Sequence, residues 1–125
     1  MMKKHLNAAL LVGLATLGFK AALAHSGGAP KHGGVLAAAS GRSFELVGTA
    51  NGAAIHVEDH GKPTAPTGLK GKLTVLQRDQ KSQAELVPAG DRLEAQGVKL
   101  DTGAKVVAAL TTAAAKAITV RFTVK

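Results

Sequence analysis

The residues best able to do chemistry in this 125-residue chain are its histidines. Four of the five lie beyond residue 24: His25, His32, His56 and His60. A neutral imidazole nitrogen is the commonest protein metal ligand near neutral pH, and no Cys, Tyr or Trp competes for the role. His25 opens the run His25-Ser-Gly-Gly-Ala-Pro-Lys-His32-Gly-Gly. If a peptidase cuts after Ala24, His25 becomes the N-terminal residue, and its free amine and ring form a chelate. Nitrogen-rich tetragonal sites suit copper(II) best among common divalent ions, ahead of zinc. The alternative is that His25 simply follows the cleavage point.

A second group is His56-Val-Glu58-Asp59-His60-Gly61. On a strand, His56, Glu58 and His60 share the face opposite Ile55 and Val57. At about 3.3 Å per residue, His56 and His60 stand roughly 13 Å apart and cannot ligate one ion. Glu58 is roughly 7 Å from either, which side chains can close, and a bend at His60-Gly61 would shorten the longer distance. Glu58 and Asp59 are the candidate oxygen ligands, or the carboxylates that orient the imidazoles. The competing reading is a solvated strand face ending in an Asx-type turn at Asp59. Folding the glycine-rich arm back would unite the two groups. Glycines at 27, 28, 33 and 34 permit φ > 0 turns, and His25 or His32 would then meet His60 or His56.

Catalytic chemistry finds no such assembly. There is no cysteine nucleophile and no Gly-x-Ser-x-Gly elbow. Glu58 and Asp59 are adjacent on a strand and point to opposite sides. Gly27-Gly28 and Gly33-Gly34 precede no periodic helix, so they do not read as a phosphate cradle. The chain reads as a binding protein and not an enzyme.

The elements that must position these histidines follow from the rest of the chain. Lys3, Lys4 and His5, the apolar stretch Leu6–Phe19 and the small residues Ala22-Leu23-Ala24 read as a helical, cleavable signal peptide over residues 1–24. The expected destination is the periplasm, with no stable membrane anchor after cleavage. Without Lys3, Lys4 and Lys20 the formal charge falls from +8 to +5. A mildly basic exported domain can meet anionic lipid, acidic polysaccharide or an acidic partner. Nucleic acid is excluded by destination and by the lack of any aromatic side chain but three Phe for base stacking. Lysines 70, 72, 81, 99 and 105 read as a solvated surface.

Residues 25–43 read as a glycine- and histidine-containing flexible arm, in which Val35-Leu36 could begin a short strand before Ser40-Gly41 turns the chain. From Phe44 the pattern becomes β. Phe44 and Leu46, Ile55 and Val57, Leu73 and Val75 with Leu76, Ala84 with Leu86 and Val87, and Leu93 and Ala95 mark short strands. Pro88-Ala-Gly90 reads as a strand end. Lys105–Thr111 and Ile118–Val124 form a terminal hairpin. Turn signals roughly every ten residues predict an all-β domain over 44–125, a small antiparallel immunoglobulin-like sandwich of six to seven strands.

Two resemblances bear on function. Lys31-His32-Gly33-Gly34-Val35, Phe44-Glu45-Leu46-Val47 and Ile55-His56-Val57-Glu58-Asp59-His60-Gly61-Lys62-Pro63 resemble segments of periplasmic adaptor subunits of heavy-metal exporters. The resemblance covers residues 31 to about 76 and implies a role near metal handling, with His32 and His60 at the matching positions. The chain lacks the long helical hairpin and lipoyl-like segment of an adaptor, so it cannot itself build an efflux channel. His25 and the Asp59-His60 pair are also similar to small periplasmic copper carriers of β-sandwich form whose mature chain begins with His. Met1 and Met2 are the only methionines and leave with the signal, which removes any copper(I)-thioether site. The expectation is a periplasmic metal-binding accessory protein, a carrier, buffer or sensor tied to a membrane metal-export complex. Its first ligands would be His25 and His60, then His32 and His56. The runner-up is an envelope structural or interaction domain without metal.

Overall fold

Val, Leu, Ile and Phe alternate with polar residues along most of the chain, and antiparallel strands follow from that period of two. The computed structural model describes residues 29–125; the expected signal segment and His25 lie outside them. The strands are β1 (Val35–Ala39), β2 (Arg42–Thr49), β3 (Gly52–Asp59), β4 (Lys62–Pro63), β5 (Lys70–Gln77), β6 (Gln80–Ala89), β7 (Arg92–Gln96), β8 (Lys105–Thr111) and β9 (Ala117–Thr123). Neighbours run in the order β1-β2-β3-β7-β6-β5-β8-β9, with β4 beside β3. All pairings are antiparallel.

Two sheets enclose the core. One is built on β1, β2, β3 and β7, the other on β5, β8 and β9, and β6 belongs to both. Its first part pairs with β5 as far as Leu86, and its end pairs with β7 from Val87 to Ala89. At the other side β1 lies against β9, so the sandwich is nearly a closed barrel. Inside are Phe44, Leu46, Ile55, Leu73, Val75, Leu86, Leu93, Val106, Leu110, Val120 and Phe122, all buried.

The all-β antiparallel class is the one the alternation predicts, with nine strands among the described residues in place of six to seven. Two tight turns supply the difference. Ser40-Gly41 (φ 53° and 75°) closes β1 on β2, and His60-Gly61 (φ 53° and 79°) closes β4 on β3. Positive φ at both central residues suits the right-handed twist of a two-residue hairpin. The arm therefore does not extend from 25 to 43: β1 and the start of β2 fall within that range, and the packed domain begins at Val35. Val35, Ala37 and Ala39 pack against the core as the inward residues of β1.

Leu76 and Val87 do not join the core. Among the described residues they are the exposed large apolar side chains, at 41% and 48%. Each follows a buried residue, Val75 and Leu86, and neighbours on a strand point to opposite faces. Nor does β6 end before Pro88. In a two-residue hairpin the closing pair, here Ala89–Arg92, exchanges hydrogen bonds and the next does not. Pro88, opposite Leu93, thus forfeits no ladder bond to β7.

Truncating Leu73→Ala should cost about 2–5 kcal/mol in urea unfolding. Leu76→Ser, three residues on, should stay within about 0.5 kcal/mol.

Candidate functional site

The cross-strand pair Glu45–His56 is the foundation of the site. Phe44 and Leu46 of β2 face inward with their partners Val57 and Ile55. Glu45 and His56, directly opposite one another, therefore face outward. Yet Glu45 is only 4% exposed, because residues 29–34 fold over it. The backbone N–H of Lys31 donates to Oε1 at 2.9 Å, and those of His32 and Gly34 donate to Oε2 at 2.8 Å. His32 Nδ1 lies 3.1 Å from Oε1. A carboxylate is an acceptor only, so this contact places the ring proton on Nδ1 and leaves Nε2 with the free lone pair when the ring is neutral.

Burial pushes the Glu45 carboxyl up. The Gly34 N–H, the His32 ring, and the N–H groups of His32 and Lys31 outweigh it and bring the pKa down from 4.5 to about 2. Gly34 is required at its place, since a Cβ there would meet the Leu46 carbonyl oxygen at 2.1 Å. Gly33 takes φ 75° to turn the segment.

The docked arm lays the His32 ring on that of His56. Their centroids are 3.6 Å apart and their planes differ by 2°. Burial, then the neighbouring His32, lowers the His56 pKa, against the opposing pull of Asp91. Lys31 Nζ closes the far side on Glu58 Oε2 at 2.6 Å. Between the arm, β3 and the chain after β4 opens a cleft of about 530 Å³, lined by His32, His56, Glu58, Leu36, Pro63 and Ala65 among others.

The expected ligands are distributed unevenly. His32 and His56 come together, as folding the arm back over β3 requires. His60 does not join them in a cluster: it occupies the β3–β4 turn with a 90% exposed side chain, and its Nδ1 sits 2.6 Å from Asp59 Oδ1. The turn at Asp59-His60-Gly61 is thus hairpin chemistry, and His is among the residues that tolerate its positive φ. Glu58 answers Lys31. Among the described residues no group of three His, Asp or Glu converges as a metal cage. A ring nitrogen binds along a lone pair in its own plane, so parallel stacked rings do not aim two nitrogens at one ion about 2 Å away.

Sequence reasoning missed Glu45, Lys31 and Asp91. Glu45 alternates with Phe44 and Leu46 like any solvent-facing strand residue. The only available signal was its position opposite His56, with a Gly-Gly pair just upstream to wrap it. No known protein family, curated protein or solved structure matches the chain.

The clasp has a pH signature. A carboxyl whose folded pKa lies below its unfolded value stabilises the native state above the unfolded pKa and loses that contribution as pH falls through the folded one. For Glu45 the full contribution, about 3 kcal/mol, is present above about 4.5 and gone below about 2. His56, depressed from 6.5, adds an earlier loss that begins as the unfolded ring protonates. Unfolding free energy measured against pH should therefore decline from near 6.5 downward. In Glu45→Gln the lower part of that decline should vanish, and the amides of Lys31, His32 and Gly34 should exchange at least about tenfold faster.

Proposed function

We propose that the chain is an exported, non-catalytic metal-binding protein that carries or buffers copper(II) in the periplasm for an export system. The observation that carries this reading is the Glu45–His32–His56 arrangement. A buried carboxylate holds Nδ1 of His32 and leaves Nε2 free beside a second imidazole at the cleft, the way carboxylates orient metal-binding histidines. His32 and His56 are the proposed anchoring ligands, with His25 as a further nitrogen donor and Glu58 as an oxygen donor. Asp59–His60 is a second carboxylate-held imidazole, on the exposed turn. Nitrogen donors with one carboxylate favour copper(II) over zinc. Because the rings are parallel, binding through both requires the stack to open.

The parallel stack itself favours a second reading. In it the histidines pack as flat surfaces that pin the arm, and the cleft receives an envelope partner without metal.

Calorimetric titration of copper(II) and zinc(II) into the chain beginning at His25 separates the two. Metal carriage predicts one-to-one copper uptake tighter than zinc, weakened about tenfold or more by His32→Ala or His56→Ala. It also predicts weaker binding when an extra residue precedes His25. Uptake no better than that of an unstructured histidine peptide would leave the envelope interaction domain as the better account.

A further inference from the structure

The outer face of the other sheet has a different character. Across β6, β5, β8 and β9 one row reads Lys81, Leu76, Lys105 and Thr123, the next Gln83, Thr74, Val107 and Arg121, and the third Glu85, Lys72, Ala109 and Thr119. Lys70 continues the Lys72 side, while Val87, one residue past the Gly71–Leu86 pair, stands opposite Glu94 of β7. The fold thus gathers Lys70, Lys72, Lys81, Lys105 and Arg121 on one exposed surface with Glu85 as its one acid among the described residues. Asp79 and Asp101 stand beyond its Gln77–Gln80 end. None of the five basic groups forms an ion pair among the described residues. The acids gather elsewhere: Glu45, Glu58 and Glu94 lie on the first sheet, with Asp59 and Asp91 at its ends.

Of the two exposed large apolar side chains among the described residues, Leu76 stands within this basic face and Val87 at its margin, where β6 has passed to β7. Leu76 sits between Lys81 and Lys105, each one strand spacing, about 5 Å, away. We propose that this face docks on an anionic phospholipid bilayer. Unpaired basic side chains are drawn to the negative surface potential of such a membrane. Leu76 enters the headgroup boundary, where apolar groups are favoured and the lysine stems lie alongside it. A soluble polyanion would use the charges and leave Leu76 without a partner, and for that reason the bilayer is the better fit. Docked this way, the protein keeps the cleft and its histidines on the sheet turned away from the lipid.

Co-sedimentation with phosphatidylcholine vesicles, with and without phosphatidylglycerol, tests this on the chain from His25, which holds every described strand and the whole described core. Binding is expected only with phosphatidylglycerol, and should weaken as salt rises. One basic residue near such a surface is worth about fivefold in partition. Lys72→Glu with Lys105→Glu should therefore lower it at least about tenfold, and Leu76→Ser several-fold, with unchanged thermal unfolding. If the double reversal fails to fold, Lys72→Gln with Arg121→Gln takes its place. His32→Ala, which disturbs the proposed metal site, should bind vesicles normally, so the two readings fail separately. Equal binding to uncharged vesicles, or indifference to charge removal, would overturn the proposal. So would dextran sulfate binding as tight as vesicle binding with no effect of Leu76→Ser, which would assign the face to a soluble polyanion.

Discussion

The fold depends on filling its interior with branched aliphatic side chains delivered from strands. With no cysteine there is no disulfide, and Phe44 and Phe122 are the only Phe, Tyr or Trp among the described residues. Each strand must therefore bring its Val, Leu or Ile to the same place in the same register. A slip of one residue would turn Leu73 and Val75 out and Lys72 and Thr74 in. The tight turns hold that register, and β6 shares it between both sheets. The outward residues are then fixed as strictly as the core, which is how Glu45 and His56 come to stand opposite one another on β2 and β3.

On that frame the arm is held by a charge and not by apolar packing. Segments rich in glycine lose much conformational freedom on ordering, and this one has little apolar surface to offset the loss. Glu45 offsets it with four hydrogen-bond acceptor contacts in a small volume. Charge-assisted bonds are the stronger kind, and here they replace the water that a half-covered carboxylate would otherwise keep. The same contacts fix the tautomer of His32 and set its ring on His56, so anchoring the arm and preparing an imidazole are one event.

How much of this the sequence discloses follows from the range of the interactions involved. Alternation is local, and the runs around Phe44–Leu46, Ile55–Val57 and Ile118–Val124 mark their strands and inward faces without ambiguity. Leu76 and Val87 show the limit: composition marks them as core, and strict alternation with Val75 and Leu86 puts them outside. Pro88 likewise reads as a stop until the hairpin phase shows that its missing N–H faces away from β7. The site depends on longer separations. His32 and His56 are 24 positions apart, and Glu45 is joined to the arm across 11 to 14. The histidines admit the His32–His56 pair as one of several combinations, ranked behind His25 and His60, and the carboxylate beneath it carries no local mark. Asp59-His60-Gly61 carries a strong one, and it is the mark of a turn.

The continuity of β6 has a mechanical consequence. A strand that serves both sheets acts as a spine, since the sheets cannot rotate against each other there without breaking one of its two ladders. At the opposite side β1 and β9 touch without a shared ladder, so the domain has a bound edge and an open one, like a book. Breathing motions that separate the sheets must begin at the open edge. There β1, an alanine-rich strand of modest grip, is fastened to β2 along one side and preceded directly by the segment that Glu45 clasps. The clasp lies beside that fore-edge and within one cover, tying the chain just before β1 to Glu45 of β2.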